Sequence, residues 1–348
     1  MRLSALDRDF IVIGENIHTS RVIMRKGARF VADEGAEAVR YTDSDGEARR
    51  LPVPEAVKAT QDYDEGRVKH VKVAMDLAMA EGGAQVEQGM RYLRALVSDQ
   101  ERAGAEILDL NVDEISFKRE AQKTAMAWLV RTIQEMTELP LSVDSSSVEV
   151  IEAGLIVGDP ARVRPLLNSA SLERPDALDL ALAHNARVVV TASGDKGMPD
   201  GTTERVANAS RMIEAALAKG FAAGDIFVDP LVFPIAVDPQ FGLHCLDAIT
   251  QLRGAFGAEI HITGGISNAS FGIPSRKMVN EMFLVLGVEA GLDSGIIDPL
   301  IIRPDRVFDL DRTTNPYKLV EEVLLGREDA RTFIRAWRKG ELALPAGG

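Results

Sequence analysis

The chain has 348 residues, 46% of them hydrophobic and 27% charged, and its 53 acidic against 40 basic side chains give a net charge of −13. That is the make-up of a globular protein with ample core, and its negative field disfavours nucleic acid and anionic membranes as partners. The lone Cys245 excludes a disulfide framework and a thiolate metal cluster within the chain. No apolar run nears the ~20 residues of a membrane span, and the start MRLSALDRDF lacks a signal-peptide core, so a cytoplasmic protein is expected.

Phe10–Gly14 (FIVIG) reads as a first strand, with Glu15, Asn16 and His18 just beyond it. Residues 21–84 then break the rhythm of the chain. Tyr41–Arg50 is rich in turn formers and charge, and Pro52 and Pro54 follow. This predicts an insertion or lid on the rim, with a short hairpin and one helix near Asp64–Ala80. Rhythm returns with a helix over Gln85–Ala103, where Val86, Met90, Leu93 and Val97 fall at helical spacing. From there strands and helices alternate. The strands are ILDLN (107–111), LSVD (141–144), LLN (166–168), RVVVT (187–191), IFVD (226–229), EIHIT (259–263) and GIID (295–298). Between and after them the pattern predicts helices over Ala121–Glu138, Val148–Val157, Pro175–His184, Thr203–Gly220, Asp247–Phe256, Ser275–Gly291 and Asn315–Leu325. Ser146 and Glu149 have the spacing of a capping box. Eight strands, each but the first cleanly followed by a helix, predict an α/β protein of the (β/α)8 TIM-barrel class. The expected organisation is one domain over 1–348, with a rim insertion after strand 1 and a tail over 327–348. That tail, with Trp337 and its Gly-Gly end, is expected to pack outside the barrel or fray.

Most of these strands end in a carboxylate or carboxamide followed by a turn. A parallel barrel brings such ends to one mouth, which collects Asn111, Asp144, Asn168, Asp229 and Asp298, with Glu15 and Asn16 from strand 1. One Asp after an apolar run is commonly a helix cap; the series points to a site. Carboxylates and carboxamides together offer the paired donors and acceptors that a flat, amide-like heterocycle such as a pterin or purine needs. Three carboxylates also suit a metal. However, His18, His70, His184, His244 and His261 include no pair at zinc spacing, and no Gly-rich phosphate loop with Lys is present. The heterocycle is the favoured reading.

The loop Gly264–Ser270 (GGISNAS) has two glycines that permit a turn with unusual dihedrals, and Asn268 stands at its tip. Alone it is ordinary loop composition. His261 reads as a core or supporting residue, and Asp195 and Lys196 more as a solvated loop than a site, although their place at the mouth keeps both readings open. For Arg276, at the start of a helix, surface pairing and ligand binding are equally open. Nucleophile-elbow, P-loop and dinucleotide motifs are missing from the chain, and Cys245 has no adjacent base that would make it a nucleophile.

VIGENIH, ILDLNVD, MAWLVRTIQE, LSVDSSSVEVIEAGL, LLNSAS, FVDPLVFP, GGISNASFG and AGLDSGIID occur in this order. In them the chain resembles the methyltetrahydrofolate:corrinoid-protein methyltransferases. Those enzymes share the pterin-binding barrel of dihydropteroate synthase and the folate module of cobalamin-dependent methionine synthase. The resemblance covers 10–20 and 85–325. It implies that Asp144, Asn168 and Asp229 hold the pyrimidine edge of the pterin, that Asn111 lines the pocket, and that Asn268 contacts N5. Asn268 and Asp144 become the catalytic candidates, with Arg276 and Glu15 as further substrate-binding ones. The implied substrate is tetrahydrofolate or 5-methyltetrahydrofolate, the implied partner a protein that carries a corrinoid (cobalamin), with no metal of the chain's own and a homodimer as the expected assembly. Two departures stand out. Residues 21–84 exceed the compact family pattern, and TASGDKGMP replaces a TMN-like run, so nothing is carried over to Ser193–Lys196. A non-catalytic folate-binding barrel and dihydropteroate synthase are the alternatives: Ser275–Lys277 resembles the phosphate-binding run of the synthase, but GGISNASFGIP intervenes after strand 7. The last strand reads IIDP, where the synthase has an Arg-x-His pair.

Overall fold

Strands built from continuous apolar runs need cover on both faces, and only a sheet wrapped in helices provides it. The computed structural model, which describes all residues except 2, 4, 5, 34, 35, 160 and 343–348, has this arrangement. Its parallel strands are β1 Ile11–His18, β2 Ile107–Asn111, β3 Leu141–Asp144, β4 Leu166–Ala170, β5 Arg187–Thr191, β6 Ile226–Asp229, β7 His261–Ile262 and β8 Ser294–Ile297. They run in the order β7-β6-β5-β4-β3-β2-β1-β8. The helices that follow them are α1 Ala84–Arg102, α2 Arg119–Gln134, α3 Val148–Ile156, α4 Ala177–Ala183, α5 Thr202–Lys219, α6 Phe241–Phe256, α7 Arg276–Ala290 and α8 Asn315–Leu324. This is the (β/α)8 barrel predicted from the rhythm of the sequence. No helix among the described residues is long and apolar enough to cross a membrane.

The chain falls into two compact units, residues 14–165 and residues 1–13 with 166–348. In the first, the insertion is richer than a hairpin and a helix. Phe30–Asp33, Ala36–Thr42 and Ala48–Pro52 form a three-stranded antiparallel sheet. Asp43 makes its second turn, its Oδ1 accepting from the Asp45 and Glu47 amides, with Gly46 at a φ of 88°. The charge-rich run Arg49–Arg50 concealed this strand because only alternate side chains, such as Val39 opposite Leu51, face inward. Val22–Met24 pairs with Arg67–Lys69, and helix His70–Ala78 packs on α1. Gly89 allows that approach, because a Cβ there would run into the Ala74 carbonyl oxygen.

The predicted capping box is also corrected. Ser147, not Ser146, is the N-cap of α3, and its hydroxyl bonds the Glu149 side chain; the Ser146 amide is taken by Asp113 Oδ2 at 2.9 Å. β1 runs on through Glu15 and Asn16 to His18, so these three residues belong to the strand and not to the loop after it.

In the second unit β5 sits between β4 and β6, and Val188, Val189 and Val190 are completely buried. Each such side chain contributes ~1.5–3 kcal/mol. Below the strands, at their N-terminal ends, Asp293 gathers Arg8 at 2.7 Å, Arg253 at 2.9 Å, His261 Nδ1 at 3.0 Å and the Ile262 amide at 2.7 Å. Burial alone would raise the Asp293 carboxyl, but these partners hold it below its ordinary value. His261 also stacks on Phe227 with ring centroids 4.6 Å apart, which makes its role structural. The tail continues as helix Ala330–Arg338, capped by Asp329 and burying Phe333; the predicted frayed Gly-Gly end lies outside the described residues.

Candidate functional site

In residues 14–165 the parallel register aligns Asp109 with Ser142 and Asn111 with Asp144, so these four side chains share one face. Asn111 Nδ2 donates to Asp144 Oδ2 at 2.8 Å, and its own Oδ1 accepts from the Asp113 amide at 2.9 Å. Burial first, then the negative charge of Asp109, pushes the Asp144 carboxyl up to about 7, with His18 and Asn111 acting against them. His18 Nε2 lies 2.7 Å from Asp109 Oδ2. Burial opposes a charged ring there, but Asp109, Asp144 and Glu15 outweigh it, and His18 is held above its ordinary value. On β1, Arg21 reaches Glu15 at 3.2 Å and Asn16 at 2.8 Å, while the buried Gln100 accepts from the Asn16 amide at 3.1 Å.

One ligand atom each from His18, Asp109 and Asp144 lie within 4.8 Å of one another, a set able in type to hold a divalent ion. The direct His18–Asp109 bond already satisfies two of the three. Sequence reasoning missed this pair. Its signal was legible: Asp109 is a charged residue inside a buried apolar strand, two positions before Asn111 and therefore on the same face.

A cleft of about 470 Å³, lined in part by Thr60, Lys69, Lys72, Asp113, Glu114 and Phe117, lies between the insertion and the loop after β2. Its cations are engaged. Lys69 pairs with Asp62 at 2.6 Å and Glu114 at 2.9 Å, and Lys72 donates to the Ile115 carbonyl. These contacts fasten the insertion to the loop after β2.

In the other unit, Asn168 is buried on β4 beside Val189 of β5, and the register slips by one residue just after it. Arg174 reaches the neighbouring Ser169 hydroxyl at 3.1 Å. Thr191 and Asp229 are register partners at the ends of β5 and β6. Asp229 Oδ1 accepts from the Leu231 amide at 2.8 Å. Burial, partly offset by that bond and by Arg205, pushes the Asp229 carboxyl up to about 6. Gly264 lies beside it: a Cβ there would be in ordinary contact with Asp229 Oδ1 at 3.5 Å and would press on Val232 at 3.1 Å.

Gly264 and Gly265 do not have the unusual dihedrals expected of them; neither has a positive φ. They serve close approach instead, the Asn268 Nδ2 lying 2.9 Å from where a Gly265 Cβ would be. Asn268 itself ends a 3-10 turn over Ile266–Asn268, exposed, its side chain without a hydrogen-bond partner among the described residues. Arg276 braces this loop, donating to Ser270 Oγ at 3.0 Å and to the Ser267 carbonyl at 2.9 Å. Asp298 follows β8 and caps its own turn through the Leu300 amide at 3.0 Å. Asp195 and Lys196 lie on an exposed loop, Asp195 3.8 Å from Arg211. Cys245 is buried and its thiol pushed up to about 12, principally by that burial, which leaves it inert.

Residues 70–298 match the family of pterin binding enzymes, and the chain belongs to that family. Among its relatives is the methylcorrinoid:tetrahydrofolate methyltransferase of Eubacterium limosum, 28% identical over 264 residues, which are 74% of this chain and 90% of that one. The methionine synthase of Mycobacterium leprae is 32% identical over 236 residues, 64% of this chain but only 19% of the synthase. Of solved structures, the dihydropteroate synthase of Xanthomonas albilineans with 7,8-dihydropteroate matches at a TM-score of 0.49 and 17% identity, covering 77% of this chain and 90% of that one.

Proposed function

We propose that the protein is a methyltransferase that moves a methyl group between N5 of tetrahydrofolate and the cobalt of a corrinoid carried by a partner protein. The observation that carries this reading is that Asp144 and Asp229, each a strand-end carboxylate within the region matched by the family, both have their pKa raised by burial. Such groups accept hydrogen bonds from the amide-like edge of a pterin when ionised and can donate one when protonated. The resemblance to the Eubacterium limosum enzyme along 90% of its length supports the corrinoid side of the reaction. In this reading Asp144, Asn168 and Asp229 take the pyrimidine edge, Asn111 fixes Asp144, and Glu15 and Arg276 support substrate from β1 and the loop after β7.

Transfer from 5-methyltetrahydrofolate breaks the N5–CH3 bond and leaves its electron pair on N5, while the reduced corrinoid supplies the pair that takes the methyl. An amine anion is a poor leaving group, so a proton or hydrogen bond must reach N5 as the bond breaks. Asn268 has the carboxamide for this task, exposed on the loop after β7. The reverse direction uses the same groups. The exposed Met198, Val237, Phe271, Leu300 and Ile301, on loops after β5 to β8, support docking of the partner on that rim. Residues 21–84 would act as a lid within one catalytic domain, in a cytoplasmic homodimer that needs no metal of its own.

The test is methyl transfer from 5-methyltetrahydrofolate to reduced cobalamin, and from methylcobalamin to tetrahydrofolate, followed by the cobalamin spectrum. Transfer in either direction is expected. Tetrahydrofolate binding without transfer would reduce the protein to a folate carrier. Condensation of a pterin diphosphate with p-aminobenzoate would make it a dihydropteroate synthase.

A further inference from the structure

Arg205, on α5, is 0% exposed, yet it has no carboxylate within salt-bridge distance among the described residues. Its Nη1 donates to the Pro230 carbonyl at 2.6 Å and to the Leu231 carbonyl, and its guanidinium lies 4.4 Å from the centre of the Phe233 ring. Nε and Nη2 are buried without a hydrogen-bond partner. Burial draws its pKa down, opposed by Cys245 and Asp229, but a guanidinium stays charged. A buried cation so incompletely satisfied is costly to keep, and the two carbonyls it holds belong to the residues directly after Asp229. They need holding, because Leu231 has a φ of 69°, in the left-handed region that side chains avoid. The Leu231 amide is also the one that Asp229 Oδ1 accepts from.

We infer that Arg205 is a positioning residue for Asp229: it clamps two consecutive carbonyls of the turn that fixes this carboxylate, and its buried positive charge favours the carboxylate's ionised form. The inference rests on the proposed role of Asp229 in folate binding. Arg205, on α5, is the cation whose charge acts on Asp229. Cys245 of α6 is neutral below about 12. Thr191 of β5 and Gly264 after β7 carry no charge.

The experiment measures tetrahydrofolate affinity by calorimetry from pH 5 to 8 for the wild type, Arg205→Met, Arg205→Lys and Asp229→Asn, with folding checked by circular dichroism. An opposite charge lowers the pKa of a carboxylate. In Arg205→Met the acid limb of folate affinity therefore moves to higher pH. Arg205→Lys, which keeps the charge and loses the fork, leaves the limb in place and weakens binding several-fold. A folded Arg205→Met with an unmoved limb overturns the inference. If Arg205→Met fails to fold, Arg205→Lys decides: weaker binding on the wild-type limb supports the inference, and wild-type affinity overturns it. Wild-type protein that binds no tetrahydrofolate, or an Asp229→Asn variant that binds it unchanged, would instead remove the role assigned to Asp229.

Discussion

Replacing Asp229 with Asn should make the empty protein more stable while it weakens folate binding. The carboxyl is pushed from its usual 3.8 up to about 6, chiefly by burial. Between those two values the folded chain holds a proton that the unfolded chain has released, so stability falls as pH rises across this window. At ~1.36 kcal/mol per unit, a gap of about two units means that folding carries ~3 kcal/mol against it once both states are ionised. The site is not fully sealed from solvent, so ~1–3 kcal/mol is the expected range. Asn stands in for the protonated acid and can still accept from the Leu231 amide. Urea denaturation at pH 8 should thus show Asp229→Asn to be the more stable, with the difference shrinking as pH falls through 6 and gone near pH 4. Folate affinity at pH 8 should meanwhile fall, by ~1–3 kcal/mol for an unpaired pterin edge. A variant that is less stable at pH 8, or a difference that ignores pH, would refute the reasoning.

Asn268→Ala is expected to slow methyl transfer ~100- to 1000-fold with a smaller loss of folate affinity, since its hydrogen bond strengthens as charge develops on N5. Single-turnover kinetics at saturating folate test this, and a wild-type rate would leave Asn268 a turn residue. Activity should survive prolonged chelation; a loss restored by one divalent ion would instead place a metal on His18, Asp109 and Asp144. Gly242→Ala should cost ~1–3 kcal/mol, because a Cβ there would press into the backbone carbonyl of Leu324. An unchanged melting temperature would show that α6 and α8 can move apart at no expense.

The eight strands were legible because burial on both faces forces an unbroken apolar run, and a polar residue must end it. The same rule failed where burial is one-sided. Arg49 and Arg50 made Ala48–Pro52 look like a turn, although a strand of a small sheet needs only its inward positions, here Leu51, to be apolar. The start of α6 was read at Asp247 rather than Phe241 because Gly242 weakens helix propensity. The glycine is there so that the Leu324 backbone can come close, a tertiary demand that overrides propensity.

At the site, strand-end position was readable but state was not. Asp144 and Asp229 are adjacent to their turns in the sequence, yet their raised pKa values depend first on burial in the fold and then on groups from other elements: Asp109 and His18 for one, Arg205, which opposes the rise, for the other. Arg205 is the sharper case. In the sequence it is one more cation in a helix that begins TTERVANAS, and helical cations are usually solvated. Only its burial against the Pro230 and Leu231 carbonyls separates it from a surface residue. The contrast with Asp293 then becomes informative. That carboxylate, surrounded by two arginines, a histidine and an amide, is held low. Asp229, with one amide and one more distant cation, is held high. A group fully satisfied by its own protein has nothing left to offer a ligand; the carboxylate left short of partners has hydrogen-bonding capacity for one.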